Sequence, residues 1–195
     1  MKLFHKMSAL VLAFAATAVM AQTAPDAVVK NVANEVLAAL KADASLGASP
    51  QKLGAFLDSK LSPNFNFTRM TALAMGRNWR TASPEQQKAL TAEFKTLLNR
   101  TYSSALAGYK DKAIDVRPVK MAASDTEVIV KTSIASGASP ILIDYSMEKA
   151  GDSWKAYDVT VAGVSLVTNY RDEFNNVIRE SGIDGLIKSL QAKNK

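Results

Sequence analysis

Two aspartates in the C-terminal part of the chain are the side chains best placed for acid–base chemistry. Asp144 interrupts the apolar stretch ILIDYSM, and Asp158 interrupts WKAYDVTV. Two carboxylates in different surroundings can divide the roles of general acid and general base. Strand alternation, however, turns these acids away from apolar neighbours such as Tyr145 and Val159. The pattern favours two structural acids bonded to arginine or backbone, and the alternative is an enzyme that uses a carboxylate base on an apolar substrate.

The residues that most enzymes and metal sites depend on are nearly absent. The chain has no cysteine, and its one histidine, His5, lies in a segment that we predict is removed. This excludes the Ser-His-Asp triad, the Cys-His pair and nearly all zinc or haem sites. We therefore predict a protein that is not an enzyme, with no catalytic residue, no bound metal and no cofactor.

Three arginines offer a different kind of chemistry. Arg77, Arg80 and Arg171 can bind phosphate oxygens or an acidic partner surface through charge-assisted hydrogen bonds. The simpler interpretation, which the sequence favours, is solvated side chains or local ion pairs.

The N-terminus has the pattern of a secretory signal peptide. Lys2 and Lys6 precede an apolar run of about thirteen residues, and small residues lead up to Ala21. The run is shorter than the roughly twenty residues of a membrane span, which makes an uncleaved membrane anchor the less favoured alternative. We predict a signal peptide at 1–21 and one domain at 22–195. The lack of cysteine suits an exported protein of a bacterial periplasm.

Charge argues against nucleic acid as a partner. Removing the signal peptide takes two lysines and no acid, so the net charge falls from +6 to +4. No basic block and no interleaving of aromatic with basic residues occurs, although single-strand binding surfaces need both.

The first half of the chain and its end have helical spacing of apolar residues. Ser83-Pro84-Glu85-Gln86 combines a cap, a proline at the first turn and a capping box, and is the clearest helix start. The predicted helices are Asp26 to Leu46, one from Ser49-Pro50 to Ser62-Pro63, one from Phe65 to Gly76, Ser83 to about Ala107, Ser165 to about Arg179, and Ile183 to Leu190.

Between these helical regions the apolar residues alternate, which is typical of strands. Short polar turns connect the strands and indicate an antiparallel meander. The predicted strands are Ile114 to Met121, Glu127 to Ser136, Ile141 to Lys149 and Trp154 to Val161. Helices, then strands, then helices indicate an α+β fold in which helices pack on one face of a curved, antiparallel, four-stranded sheet.

A corner at the end of the meander joins these two kinds of structure. In the segment from Trp154 to Val161, period-two spacing places Tyr157 and Val159 on the same face of a strand. The strand pattern ends at Gly163, and apolar residues at helical spacing follow. Such a corner can line one end of a cavity between sheet and helix. We take Gly163 as a candidate hinge.

Three blocks of sequence carry a resemblance to a known family. They are SPNFNFTRMTALAMGRNWRTASPEQQ at 62–87, FKTLLNRTYSSAL at 94–106 followed by Tyr109, and the corner with its continuation GIDGLIKSL at 182–190. Together they identify the chain as similar to the periplasmic phospholipid carriers of the Mla pathway, the MlaC or toluene-tolerance family. Asn66 stands where this family pattern leads us to expect an aspartate.

The resemblance implies a fold that encloses a deep apolar cavity and a shuttle that carries glycerophospholipid between outer and inner membranes. This would maintain the lipid asymmetry of the outer membrane. Phospholipid would be cargo rather than cofactor. The implied partners are an inner-membrane ABC transporter complex and an outer-membrane lipoprotein complex. The carrier would be a monomer that docks transiently on each of them.

Candidate lipid-binding residues come from the faces that the sheet and helices should turn toward each other. The alternative for each is an ordinary core position, and a filled core throughout would indicate a structural adaptor. The candidates are Phe94, Leu98, Tyr102, Leu106, Ile141, Ile143, Tyr145, Met147, Val161, Val164, Leu166, Tyr170 and Phe174.

Overall fold

The structure is a computed structural model that describes residues 23–137 and 139–195. The predicted signal peptide at 1–21 lies outside the described residues. Within them, no helix combines the length and the apolar character that a membrane crossing requires.

In the described residues, six α-helices accompany a single sheet. They are α1 (Pro25–Ala42), α2 (Ala44–Ala48), α3 (Pro50–Leu61), α4 (Phe67–Met75), α5 (Pro84–Gly108) and α6 (Leu166–Lys193), with 3-10 turns at Ser62–Asn64 and Gly76–Thr81. The last two predicted helices are the two segments of α6, which meet at a kink at Gly182, where the backbone is not helical and φ is +71°.

The predicted capping box at the start of α5 is confirmed. The Gln86 amide donates to Ser83 Oγ at 3.2 Å, and the Ser83 amide donates to Gln86 Oε1 at 3.0 Å. Ser49 and Asn66 cap α3 and α4 in a related way, since each side chain accepts from an amide three residues on. These caps satisfy amides that have no partner within the helix.

The sheet is an antiparallel meander of five strands in the order β1-β2-β3-β4-β5. The strands are β1 (Ile114–Val116), β2 (Glu127–Ile134), β3 (Ile141–Ala150), β4 (Ser153–Val161) and β5 (Val164–Ser165). The α+β prediction is confirmed, with one strand more than the four expected. The first strand was predicted too long: it stops at Val116, and Pro118, which follows closely, has no amide to donate to a ladder.

The additional strand β5 follows a tight turn. Ala162 and Gly163 both have positive φ, +48° and +87°, and reverse the chain between β4 and β5. The corner is therefore strand, turn, two-residue strand and helix. Ser165 then caps α6 by accepting from the Thr168 amide at 3.0 Å.

A β-bulge in β4 changes which residues share a face. The register with β3 shifts between Ser146 and Met147, so that Met147 pairs with Ala156 while Ser146 pairs with Asp158. Tyr157 is the extra residue, and its ring lies under the Arg69 guanidinium at 3.6 Å. Grouping Tyr157 with Val159 was therefore wrong, because the bulge breaks the alternation between them.

Three apolar clusters hold the elements together. The first joins α4, α5 and α6, the second packs Val28 and Val29 of α1 on the sheet around Trp154, and the third joins α1 to α3 through Leu40 and Leu57. The elements thus enclose a space that the helices border on one side and the sheet on the other.

Candidate functional site

An apolar cavity of about 350 Å³ lies between the sheet and the helices. This volume falls within the range of small-molecule pockets. Side chains from α1, α3, α4 and α5 and from strands β1 to β4 line it, together with Leu166 at the start of α6. None of the lining residues in the described part of the chain carries a charge.

The sheet side of the cavity agrees with the strand alternation. Ile141, Ile143, Tyr145 and Met147 all line it from β3, the middle strand of the sheet. They share a face because successive side chains of a strand point to opposite sides. Leu142, between the first two, is 51% exposed on the other face.

The helix side uses the second half of α5. Leu98, Tyr102 and Leu106, which follow one another at four-residue steps, line the cavity. Phe94, one step earlier on the same stripe, does not. It packs edge-on against Tyr170 and Phe174 of α6, with ring centroids 5.1 Å away in each case.

Nine of the thirteen candidate residues therefore line this cavity, and four do not. Phe94, Tyr170 and Phe174 are buried in the core that joins α4, α5 and α6. Val164 is 57% exposed on β5. Sequence spacing put these four side chains on faces that could line a cavity. In the structure, the packing of α6 onto α5 buries Phe94, Tyr170 and Phe174, and Val164 stays exposed. The nine are Leu98, Tyr102, Leu106, Ile141, Ile143, Tyr145, Met147, Val161 and Leu166.

Sequence reasoning missed a whole wall of the cavity. Helix α1 contributes an apolar face that is wide for a surface helix, and the end of α3 and the segment leading into α4 add more. The broad valine-rich face of α1 was visible as a signal, but nothing in the sequence says what it faces. The missed residues include Val28, Val29, Val32, Ala33, Val36, Leu37, Leu57, Leu61, Phe65, Phe67 and Met70.

The polar side chains of the lining are few. Asn64, Asn99 and Ser103 donate to nearby groups of the walls, namely Lys60 O, Asp58 Oδ1 and Arg100 O. Their donors are thus occupied locally, and the cavity keeps its apolar character.

The apolar surroundings of the cavity affect the pKa of Tyr145. Its side chain is half-buried by accessible area, and the accessible part faces the cavity. Burial raises the pKa of Tyr145 to about 12. Burial also raises the pKa of Tyr102 across the cavity, with a smaller contribution from Tyr170. Both shifts follow because a low-polarity environment disfavours phenolate.

Neither candidate carboxylate borders the cavity. Asp158 accepts from Ser165 Oγ at 2.6 Å and from the Val167 amide at 3.2 Å, which ties β4 to the first turn of α6. Asp144 pairs with Lys131 and Thr160 in the ladder and is likewise not a lining residue. The enzyme alternative needed one of these acids in the cavity, and the geometry does not support it.

The three candidate arginines lie outside the cavity. Arg171 donates from Nε and Nη2 to the backbone oxygen of Leu73, at 3.1 and 2.9 Å. Arg77 and Arg80 lie beside it on a separate surface groove. In residues 23–137 and 139–195, no three acidic or histidine side chains come together in a way that would hold a metal ion.

A solved structure of a related protein has a similar fold. The chain superposes on the phospholipid-binding protein from Ralstonia solanacearum, solved in complex with a phospholipid, with a TM-score of 0.82. The two are 37% identical, and the match covers 88% of this chain and 97% of the other.

Two further relatives match over most of their length. The intermembrane phospholipid transport system binding protein MlaC of Haemophilus influenzae is 26% identical, covering 88% of this chain and 82% of that protein. The toluene tolerance protein ttg2D of Pseudomonas putida is 28% identical, and the match covers 90% of this chain and 82% of that protein.

The family model described as MlaC protein matches residues 30–192. Because that match spans most of the chain, the protein belongs to the MlaC family.

Proposed function

We propose that this protein binds a glycerophospholipid in the cavity between sheet and helices and carries it between the outer and inner membranes. The observation that carries the proposal is the lining of the cavity: of its 29 residues in the described part of the chain, none is charged and six have a polar side-chain atom. Support also comes from the structural relative that was solved with a phospholipid.

The physical need for such a cavity is large. A diacyl lipid has roughly thirty methylene groups, and exposing them to water costs on the order of 20 kcal/mol or more. A carrier must therefore cover both tails. The headgroup prefers water and can stay at the surface, so we expect recognition of the acyl chains to be stronger than recognition of the headgroup.

The nine cavity-lining candidates, extended by the α1 face, are proposed as the lipid-binding residues. Within the described residues, the lining can enclose acyl chains and offers no charged group for acid–base chemistry. The proposed role is therefore transport, with the lipid released unchanged.

The cellular setting is part of the same proposal. Residues 1–21 would direct export to the periplasm and be removed after Ala21. The monomer would then exchange lipid with an outer-membrane lipoprotein complex and an inner-membrane ABC transporter complex, which would maintain outer-membrane lipid asymmetry. The intact mass of protein exported by a bacterium tests the first step, since cleavage predicts a chain that begins at Gln22.

Lipid binding itself has a direct test. Protein purified from a bacterial periplasm is examined by native mass spectrometry, and its organic extract is separated by thin-layer chromatography. We expect one phospholipid per chain, with varied headgroups. Protein that carries no phospholipid, and that takes up none from vesicles after its cargo has been stripped, would overturn the proposal.

A further inference from the structure

A second concave surface lies apart from the cavity. It is a groove of about 1150 Å³ formed by the end of α4, the 3-10 turn at Gly76–Thr81 and the first half of α6. We call it the arginine groove, and it shares no lining residue with the cavity. Its residues are Ala72, Leu73, Gly76, Arg77, Asn78, Trp79, Arg80, Arg171, Asp172, Asn175, Asn176, Ile178 and Arg179.

The distribution of cations makes this groove unusual. Four of the seven arginines in the chain line it, and none of the fifteen lysines within the described residues does. Asp172 is its single acidic lining residue in the described part. Arginine differs from lysine in having a planar fork of donors that matches a carboxylate or phosphate with two parallel hydrogen bonds.

These arginines lack acidic partners. Among the described residues, Arg77 and Arg80 make no ion pair or side-chain hydrogen bond, and both are exposed. Arg179 donates only to the amide oxygen of Asn176. Arg69, on the sheet side of α4, pairs with both Glu127 and Glu148. Arg69 is thus neutralised by two acids, whereas no ion pair within the described residues reaches the arginines of the groove.

An amide pair and one of the four arginines join the walls of the groove, which leaves Arg77, Arg80 and Arg179 for a partner. Asn78 Nδ2 donates to Asn175 Oδ1 at 2.8 Å, which joins the 3-10 turn to α6. Arg171 holds α6 to the carbonyl of Leu73 near the end of α4. A groove that is already shaped loses less conformational freedom when a partner binds.

We propose that the arginine groove is a docking surface for an acidic segment of a partner protein, whose carboxylates pair with Arg77, Arg80 and Arg179. The lining also includes apolar surface from Leu73, Trp79 and Ile178, which suits a segment that carries apolar side chains among its acids. Trp and Arg are the residue types that contribute most to protein interfaces. A concave groove fits an extended segment better than the flat surface of a bilayer.

This surface is distinct from the lipid cavity, so its test does not depend on bound lipid. Short fluorescent peptides that alternate glutamate with leucine serve as the probe, and peptides with glutamine for glutamate serve as the neutral match. Binding to the full-length protein is followed by fluorescence anisotropy, and the site is located from amide and indole NMR shifts. The variant is Arg77→Gln/Arg80→Gln, and the control is Lys30→Gln/Lys120→Gln, which removes the same charge from exposed lysines elsewhere.

We expect saturable binding of the acidic peptide, with shifts at Trp79 and its neighbours. The arginine variant should bind about tenfold more weakly or worse, because each lost charge-assisted bond is worth about that factor. The lysine control should change by less than about twofold. The melting temperature of the arginine variant should stay the same or rise, since like charges are removed.

Four results would overturn the proposal. They are no saturable binding of the acidic peptide at millimolar concentration, equal losses in the arginine and lysine variants, shifts located away from the groove, and a lower melting temperature in the arginine variant. Binding of the same variants to vesicles of anionic phospholipid is measured in parallel. Arginine-dependent binding to vesicles without binding to peptide would assign the groove to a membrane surface instead.

Discussion

The two halves of α5 present the same apolar stripe to different surroundings. Near its start, Phe94 is fully buried among the rings of Tyr170 and Phe174. Two turns later, Tyr102 and Leu106 face the cavity. Residue type and spacing are alike in the two halves, so the difference comes from what stands opposite.

Opposite the first half lies α6, which packs directly on α5 and fills the space with aromatic rings. The second half, from Leu98 to Leu106, instead borders the cavity, which side chains of β3 also line. A helix stripe therefore defines which side chains point inward, while the neighbouring elements decide whether the interior is filled. We expect the filled end, around Phe94 and Phe174, to govern stability, and the open end, where Tyr102 and Leu106 line the cavity, to govern ligand binding.

The largest expected effect is at the filled end. Phe174→Ala should lower the free energy of unfolding by about 3–5 kcal/mol, because it leaves a hole in a close-packed core. Urea denaturation measures this. Val164→Ala, at a position that is 57% exposed, should change stability by less than about 0.5 kcal/mol. A loss at Phe174 of no more than about 1 kcal/mol would contradict the distinction between filled and open ends.

The next largest effect concerns the alkaline stability of the protein, through Tyr145 in the cavity. The pKa of Tyr145 is raised from 10.0 to about 12 in the folded protein. The folded state therefore holds its proton more tightly, so stability is full below pH 10 and declines as pH rises from 10 to 12. The decline should reach about 2–3 kcal/mol, at about 1.4 kcal/mol for each pKa unit.

Tyr145→Phe removes the titrating group and should remove this part of the alkaline decline. Stability is measured by urea denaturation from pH 8 to 12 for both proteins, with pH 8 as the reference at which the tyrosines are neutral. Identical alkaline profiles for the two proteins would show that the cavity is wet at Tyr145.

A smaller effect is expected from filling the open end. Ile143→Trp should weaken phospholipid binding by about tenfold or more, because the larger side chain takes the space of about two methylene groups. Leu142→Trp is the matched control, since the neighbouring side chain lies on the exposed face of the same strand. Lipid binding to both variants is measured by native mass spectrometry. Equal binding by the two would place the lipid elsewhere.

The smallest effect tests the corner that leads into α6. Gly163 has a φ of +87° in a turn, so Gly163→Ala should cost about 1–2 kcal/mol of stability. Gly54→Ala, inside α3 with open space around it, should instead stabilise by up to about 1 kcal/mol. Melting curves and vesicle-to-vesicle lipid transfer are compared for both. If Gly163→Ala leaves both stability and transfer unchanged, the hinge hypothesis is wrong.

Local patterns predicted much of this molecule. The capping box at Ser83, the long helix behind it and the alternation of β3 all depend on neighbours within a few residues, and the structure has them as expected. The face of β3 was predicted correctly for the same reason. The bulge at Tyr157 and the α1 wall of the cavity were missed because contacts with distant parts of the chain decide them, whereas β5 was missed because a strand of two residues is too short to show alternation.

The helices, the meander and the absence of histidine and cysteine from the predicted mature chain follow from residue identity and periodicity, as does the apolar character of each stripe. Only packing in the folded chain makes α6 fill one end of the α5 stripe and leaves a cavity at the other. A cavity is space without side chains, and it exists only through the distances between elements far apart in the chain. The gathering of four arginines into one groove was decided in the same way, because α4 and α6 meet only in the folded protein.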